Sequence, residues 1–151
     1  MASIKQFEDI EAWKEARAFT KAVYIASSSG AFAKDFGLRD QMRRASVSIL
    51  SNIAEGFERG GDREFVQFLS LAKGSCGEER AQLYVAFDQG YLTADLFQQL
   101  QEHSQKISRL LGAFMAYLKR SDLRGAKFNT SLPNARPDSG PGTRDSGPSR
   151  T

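Results

Sequence analysis

All four prolines of this chain (Pro133, Pro137, Pro141 and Pro148) lie among the final 19 of its 151 residues, which leaves 132 consecutive positions without one. Proline removes a backbone donor and clashes with the preceding helical turn, so so long a proline-free run leaves room for long helices. Within it, four segments repeat apolar residues at spacings of three and four, and none keeps the alternation of a strand. The first runs from about Ile10 to Ser27, with Ala12, Ala16, Phe19, Val23 and Ala26 on one stripe, and ends at Ser27-Ser28-Ser29-Gly30. The second runs from about Leu38 to Phe57 through Met42, Ala45, Ile49 and Ile53. Gly60-Gly61-Asp62 breaks the chain and offers an N-cap to the third, which carries Phe65, Leu69, Ala72, Cys76, Leu83 and Ala86 and stops near Gly90. The fourth opens at Thr93, with Leu96, Leu100, His103, Ile107, Leu110, Phe114 and Tyr117 on its seam.

Four such helices joined by short loops predict an all-α fold, an antiparallel up-down four-helix bundle over residues 1–120. Residues 121–151 hold the prolines and a tandem repeat, DSGPGTR then DSGPSRT, and are expected to form a disordered low-complexity tail, either inert or a basic tether. Two apolar rows lie beside the main stripes: Phe97, Leu111, Met115 and Leu118 on the fourth helix, and Val47, Leu50 and Ala54 on the second. Either the single core is wide, or the bundle buries a second face by self-association, which is the expectation adopted.

The formal charge of +3 is uneven: 16 Lys+Arg face 15 Asp+Glu in residues 1–120, against 5 and 3 in residues 121–151. Bulk charge therefore makes little case for nucleic acid, and a basic surface has to come from local arrangement. One cysteine excludes an internal disulfide framework and a cysteine-rich zinc site. The charged start, MASIKQFEDIEAWKEA, does not read as a secretion signal, and no uncharged run approaches the length of a membrane span, so a cytoplasmic protein is expected.

Catalytic signals are weak. His103 is the only histidine, which excludes a di-iron bundle with paired Glu-x-x-His motifs, and its seam position suggests a packed, hydrogen-bonded side chain. A Cys76–His103 pair would need a lowered thiol pKa on a core stripe. The glycines of ERGGDREF follow no strand and precede no Gly-Lys-Ser/Thr, so they form a turn and not a phosphate loop. No enzyme, cofactor or metal is expected.

Polar residues on the second and third helices hold more information. Gly74 and Gly77 inside a helix suggest close helix approach. Arg44 is expected to pair with Glu78 or Glu79, with Asn52 and Glu55 completing a polar network that sets the register of the two helices; a ligand- or nucleic-acid-contacting patch is the alternative. Arg39, Arg43, Arg59 and Arg63 are expected to form an exposed basic surface for RNA or DNA that reads backbone and shape without an aromatic platform. The competing reading pairs them with Asp35, Asp40, Glu58 and Asp62.

The strings GLRDQMRRASVSILSNIAEGFERG (37–60), EFVQFLSLAKGS with Glu78 (64–78) and GYL (90–92) resemble the four-helix-bundle family of proteins encoded in intervening sequences of 23S ribosomal RNA genes. That family also includes the accessory variability proteins of diversity-generating retroelements. Leu50 stands where the family usually has proline, Gly30-Ala31-Phe32 replaces a Phe-Pro loop, and Cys76-Gly77 replaces a common Leu-Ala, so a straighter second helix is expected. The resemblance implies a ring-like homopentamer without enzymatic activity. For the retroelement branch it also implies binding to nucleic acid and to a reverse transcriptase. The function that follows is a non-enzymatic accessory or scaffold protein binding nucleic acid, the alternative being a purely structural oligomer of the intervening-sequence type.

Overall fold

The computed structural model describes residues 3–131, with side chains through residue 121. After a single 3-10 turn (Phe7–Asp9) come α1 (Glu11–Ala26), α2 (Gly30–Lys34), α3 (Phe36–Arg59), α4 (Asp62–Asp88) and α5 (Ala94–Ser131), and no strand forms among the described residues. The four long helices are the four periodic segments. Each of α1 and α4 packs on both α3 and α5, closing the bundle around one core.

Local chemistry sets the ends. Asp35 caps α3 by accepting from the Leu38 N–H at 3.2 Å, and Thr93 caps α5 by accepting from Leu96 at 3.1 Å. Gly60 leaves α3 in the left-handed conformation, φ 88°, which costs a residue with a Cβ but not glycine, and the chain turns directly into α4. The five-residue α2 was not expected; it seats Phe32 in the core, where the ring stacks on Tyr91 at 5.1 Å. The expected tail boundary near Ser121 falls inside α5, which continues to Ser131; residues 132–151 of that tail lie outside the described residues.

Phe19, Val23, Met42, Ile49, Ile53, Leu69, Cys76, Leu83, Ile107 and Leu111 are fully buried and link all four helices. Full burial of such side chains contributes about 1.5–3 kcal/mol each for the larger apolar ones. The second apolar row of α5 belongs to this same core: Leu111 and Leu118 are buried, and Phe97 and Met115 pack against it. Leu50 joins them from α3, while Val47 stays exposed. The double row thus reflects a wide stripe facing one core, and it supplies no second buried face.

The close approach of α3 and α4 runs through Gly56. A Cβ there would stand 2.6 Å from the Cβ of Phe68 and 2.9 Å from Cδ1 of Phe65, so only glycine lets the helices meet. Gly74 and Gly77, for which that role was expected, have nothing within 4 Å of an added Cβ. Both sit on the part of α4 that faces away from the core.

Candidate nucleic-acid interface

In the α3–α4 contact the expected Arg44 pairing is not made. Arg44 is exposed, Glu78 accepts only from Gln82 Nε2 at 3.3 Å, and neither carboxylate oxygen of Glu79 has a hydrogen-bond partner. Asn52 turns back on its own helix, donating to the Ser48 carbonyl at 2.8 Å, and exposed Glu55 accepts from Arg59 at 2.8 Å. Midway along the contact the helices are linked instead by the Ser48–Ser75 hydroxyl pair, 2.9 Å apart.

Arg43 takes the structural role expected of its neighbour. Its Nε donates to Ser27 Oγ at 2.9 Å and its Nη2 to the Ser27 carbonyl at 3.2 Å, and its guanidinium lies over the Tyr24 ring at 4.5 Å. The reason is geometric: α3 is buried on two flanks, against α1 as well as α4, and Arg43 lies on the α1 flank. There it supplies donors to the otherwise open carbonyls at the end of α1. Arg44 points off the outer flank.

Glu79 itself is fully buried. Burial, and next the neighbouring Glu78, push its carboxyl up to about 9, so the side chain is a neutral acid at pH 7. Burial likewise pushes the Cys76 thiol up to about 11, which opposes a nucleophilic thiolate. His103 is half-buried, hydrogen-bonded to Glu15 Oε1 at 2.9 Å and set edge-on to Phe19 at 5.4 Å, as a packing side chain would be. Burial works to raise Glu15, but hydrogen bonds to Lys106 and His103 outweigh it and hold that carboxyl below its ordinary value.

The four arginines expected to form one basic surface fall into two groups. Arg39 and Arg59 are 20 residues apart on α3, about 30 Å of helix rise. Arg39 donates to Asp40 at 2.9 Å and to the Ala33 carbonyl at 3.0 Å, and lies over Phe36. Arg59 bridges Glu55 at 2.8 Å and Glu64 at 3.1 Å over the Phe68 ring. Arg63 is exposed in the first turn of α4. Charge is largely compensated at Arg39 and Arg59, and the Arg43 guanidinium is engaged by carbonyls and hydroxyls.

A different set of cations is uncompensated. Lys73 and Arg80 on α4, with Gln105, Ser108 and Arg109 on α5, line a groove of about 400 Å³. None of the three cations makes an ion pair among the described residues, and Arg80 Nη1 is buried without a partner. One turn beyond Arg80, exposed Tyr84 meets Phe97 edge-on at 5.1 Å, and Phe97 stacks on Phe87 at 4.7 Å. The sequence carried a signal for this groove: no carboxylate stands three or four positions from Lys73, Arg80 or Arg109.

The fold and these surfaces define an all-α four-helix-bundle protein whose polar features lie on helix faces, with no group of three His, Cys, Asp or Glu side chains placed to hold a metal among the described residues. No helix among those residues is long and apolar enough to cross a membrane. The chain belongs to the 23S rRNA-intervening sequence protein family, whose model matches residues 8–113. The fold is also that of a solved protein of unknown function from the S23 ribosomal protein family of Bacteroides thetaiotaomicron. The TM-score is 0.63 at 20% identity, covering 69% of this chain and 97% of that one. No curated protein matches this chain.

Proposed function

We propose that this protein is a non-enzymatic homo-oligomeric scaffold that binds nucleic acid through basic surface on each subunit. One observation carries the reading: the outward half of α4 bears two rows of opposite chemistry. Leu71 and Val85, exposed by 58% and 47%, stand four turns apart with Gly74, Glu78 and Ala81 between them on the outward side of α4. Exposed apolar side chains flanking Gly74, which has open space above it, suit contact with a helix of another copy. On the other flank of α4, toward α5, stand Lys73 and Arg80, which make no ion pair among the described residues.

One nearly neutral subunit holds few phosphates, whereas a ring repeats the same patch and gains avidity. The family resemblance supports a pentameric ring and, for the retroelement branch, a reverse transcriptase as protein partner; the single cysteine and the charged start of the chain support a cytoplasmic setting. The alternative, a purely structural oligomer, is favoured by the internal partners of Arg39, Arg43 and Arg59.

Light scattering and RNA-binding anisotropy test the proposal together. The expected mass is a multiple of 16.7 kDa, lowered to that value by Leu71→Glu with Val85→Glu. A wild-type monomer at micromolar concentration contradicts the assembly. An oligomer with no affinity for RNA or DNA at about 50 mM salt leaves the purely structural alternative.

A further inference from the structure

We infer that the α4–α5 edge is a track for single-stranded nucleic acid, with backbone phosphates in the Lys73–Arg80–Arg109 groove and a base stacked on Tyr84. The inference rests on the nucleic-acid reading above and gives it a site and a strandedness.

Lys73 and Arg80 are seven residues apart on α4, roughly 10 Å of helix rise. Arg109 adds a third cation from α5, and Gln105 and Ser108 add neutral hydrogen-bonding groups between them. Phosphate oxygens are the acceptors such a set lacks. Arg80 Nη1 has left water without gaining an acceptor, and a phosphate in the groove would supply one in a charge-assisted hydrogen bond. No acidic side chain lines the groove to repel it. The arginines at Arg39 and Arg59, by contrast, already hold carboxylates.

Tyr84 decides the strandedness. The residue is 58% exposed, and its ring is braced edge-on against Phe97, which Phe87 backs in turn. A fixed, exposed ring one turn from a phosphate-binding arginine is a stacking platform, and stacking suits any base because every base has a π face. Bases of a duplex are stacked on one another and cannot use it.

The test is fluorescence anisotropy of the full-length protein with a labelled single-stranded RNA across a salt series, with the oligomeric state and Tm of each variant checked. Neutralising Lys73, Arg80 and Arg109 to Gln should flatten the slope of log affinity on log salt by about 2, and the exposed pair Lys73→Gln with Arg109→Gln alone by about 1.4. Tyr84→Ala should weaken single-strand binding about tenfold with the slope unchanged, and leave duplex binding as it was. Inorganic phosphate should compete no better than its ionic strength predicts. If the wild type binds RNA and the groove variants match it in affinity and slope, this site is wrong while the scaffold reading stands. Equal loss of duplex and single-strand binding in Tyr84→Ala overturns the stacking role. Competition by phosphate at a concentration too low to screen would make a free anion the occupant and overturn the inference. Absence of wild-type binding to any nucleic acid removes both readings.

Discussion

Replacing Glu79 by glutamine should stabilise the subunit at neutral pH, because the wild-type carboxyl is buried where ionisation is strongly disfavoured. Both of its oxygens lack hydrogen-bond partners, and burial with Glu78 nearby raises it from 4.5 to about 9. An unfolded chain releases this proton near pH 4.5, whereas the folded one keeps it until about pH 9. Between those values the native state binds more protons, so stability falls as pH rises. The contribution is fully present below the unfolded value and is lost progressively up to the folded one. At pH 7 the difference spans about 2.5 pH units, or about 3 kcal/mol at 1.36 kcal/mol per unit. Glutamine has nearly the same shape and cannot ionise, so this cost disappears. For a chain of this size, that corresponds to a Tm roughly 6–12 °C higher. Thermal unfolding followed by circular dichroism between pH 5 and 9 measures it. The gap between variant and wild type should widen with pH and close toward pH 4.5. A Glu79→Gln protein that melts at or below wild type at pH 8, with the same pH dependence, would show that the carboxylate is ionised and compensated, and the reasoning would fail.

Four further outcomes follow from the packing. Gly56→Ala should destabilise the α3–α4 contact by about 1–3 kcal/mol through overpacking against Phe68 and Phe65, measured by urea unfolding. Gly74→Ala, in open space, should instead stabilise an isolated subunit by up to about 1 kcal/mol, while weakening assembly in light scattering if a second copy packs there. Arg43→Ala should cost about 1.5–3 kcal/mol by releasing the end of α1, against less than about 0.5 kcal/mol for Arg44→Ala; the reverse order in melting experiments would refute the assignment. Glu15, held below its ordinary 4.5, contributes stability that is present above that pH and lost as pH falls, so Glu15→Gln should flatten the acid side of the stability profile.

The helices were legible because their signal is redundant: Met42, Ala45, Ile49 and Ile53 fix the phase of α3 several times over, and Gly60 and Gly90 punctuate it with positive φ at both ends of α4. The short α2 was not, since five residues span barely more than one turn and carry no period. Glycine identity was legible and its purpose was not. Gly56, Gly74 and Gly77 look alike in sequence, and only the placement of Phe68 across the interface separates a close approach from an open face. Arg43 and Arg44 differ by one residue, about 100° of helix rotation. That is enough to send one toward α1 and the other to solvent, and the stripe of α3 alone does not say which flank is covered.

Charge was the least legible feature for a related reason. The arginine-dense string around Arg39 to Arg59 drew the expectation of a basic surface, but a cation's availability depends on what stands within reach of it. Arg39 has Asp40 beside it, and Arg59 has Glu55 one turn back on its own helix and Glu64 across the turn, so the densest cations are the most compensated. Lys73, Arg80 and Arg109 are scattered over 37 residues of sequence and become neighbours only when α4 and α5 pack. Three or four positions from each, their helices carry leucine, serine, cysteine, glycine, tyrosine, glutamine, alanine or another cation, and no carboxylate. Among the described residues none of the three makes an ion pair. The proposal of polyanion binding accordingly rests on this groove and not on the count of arginines on α3.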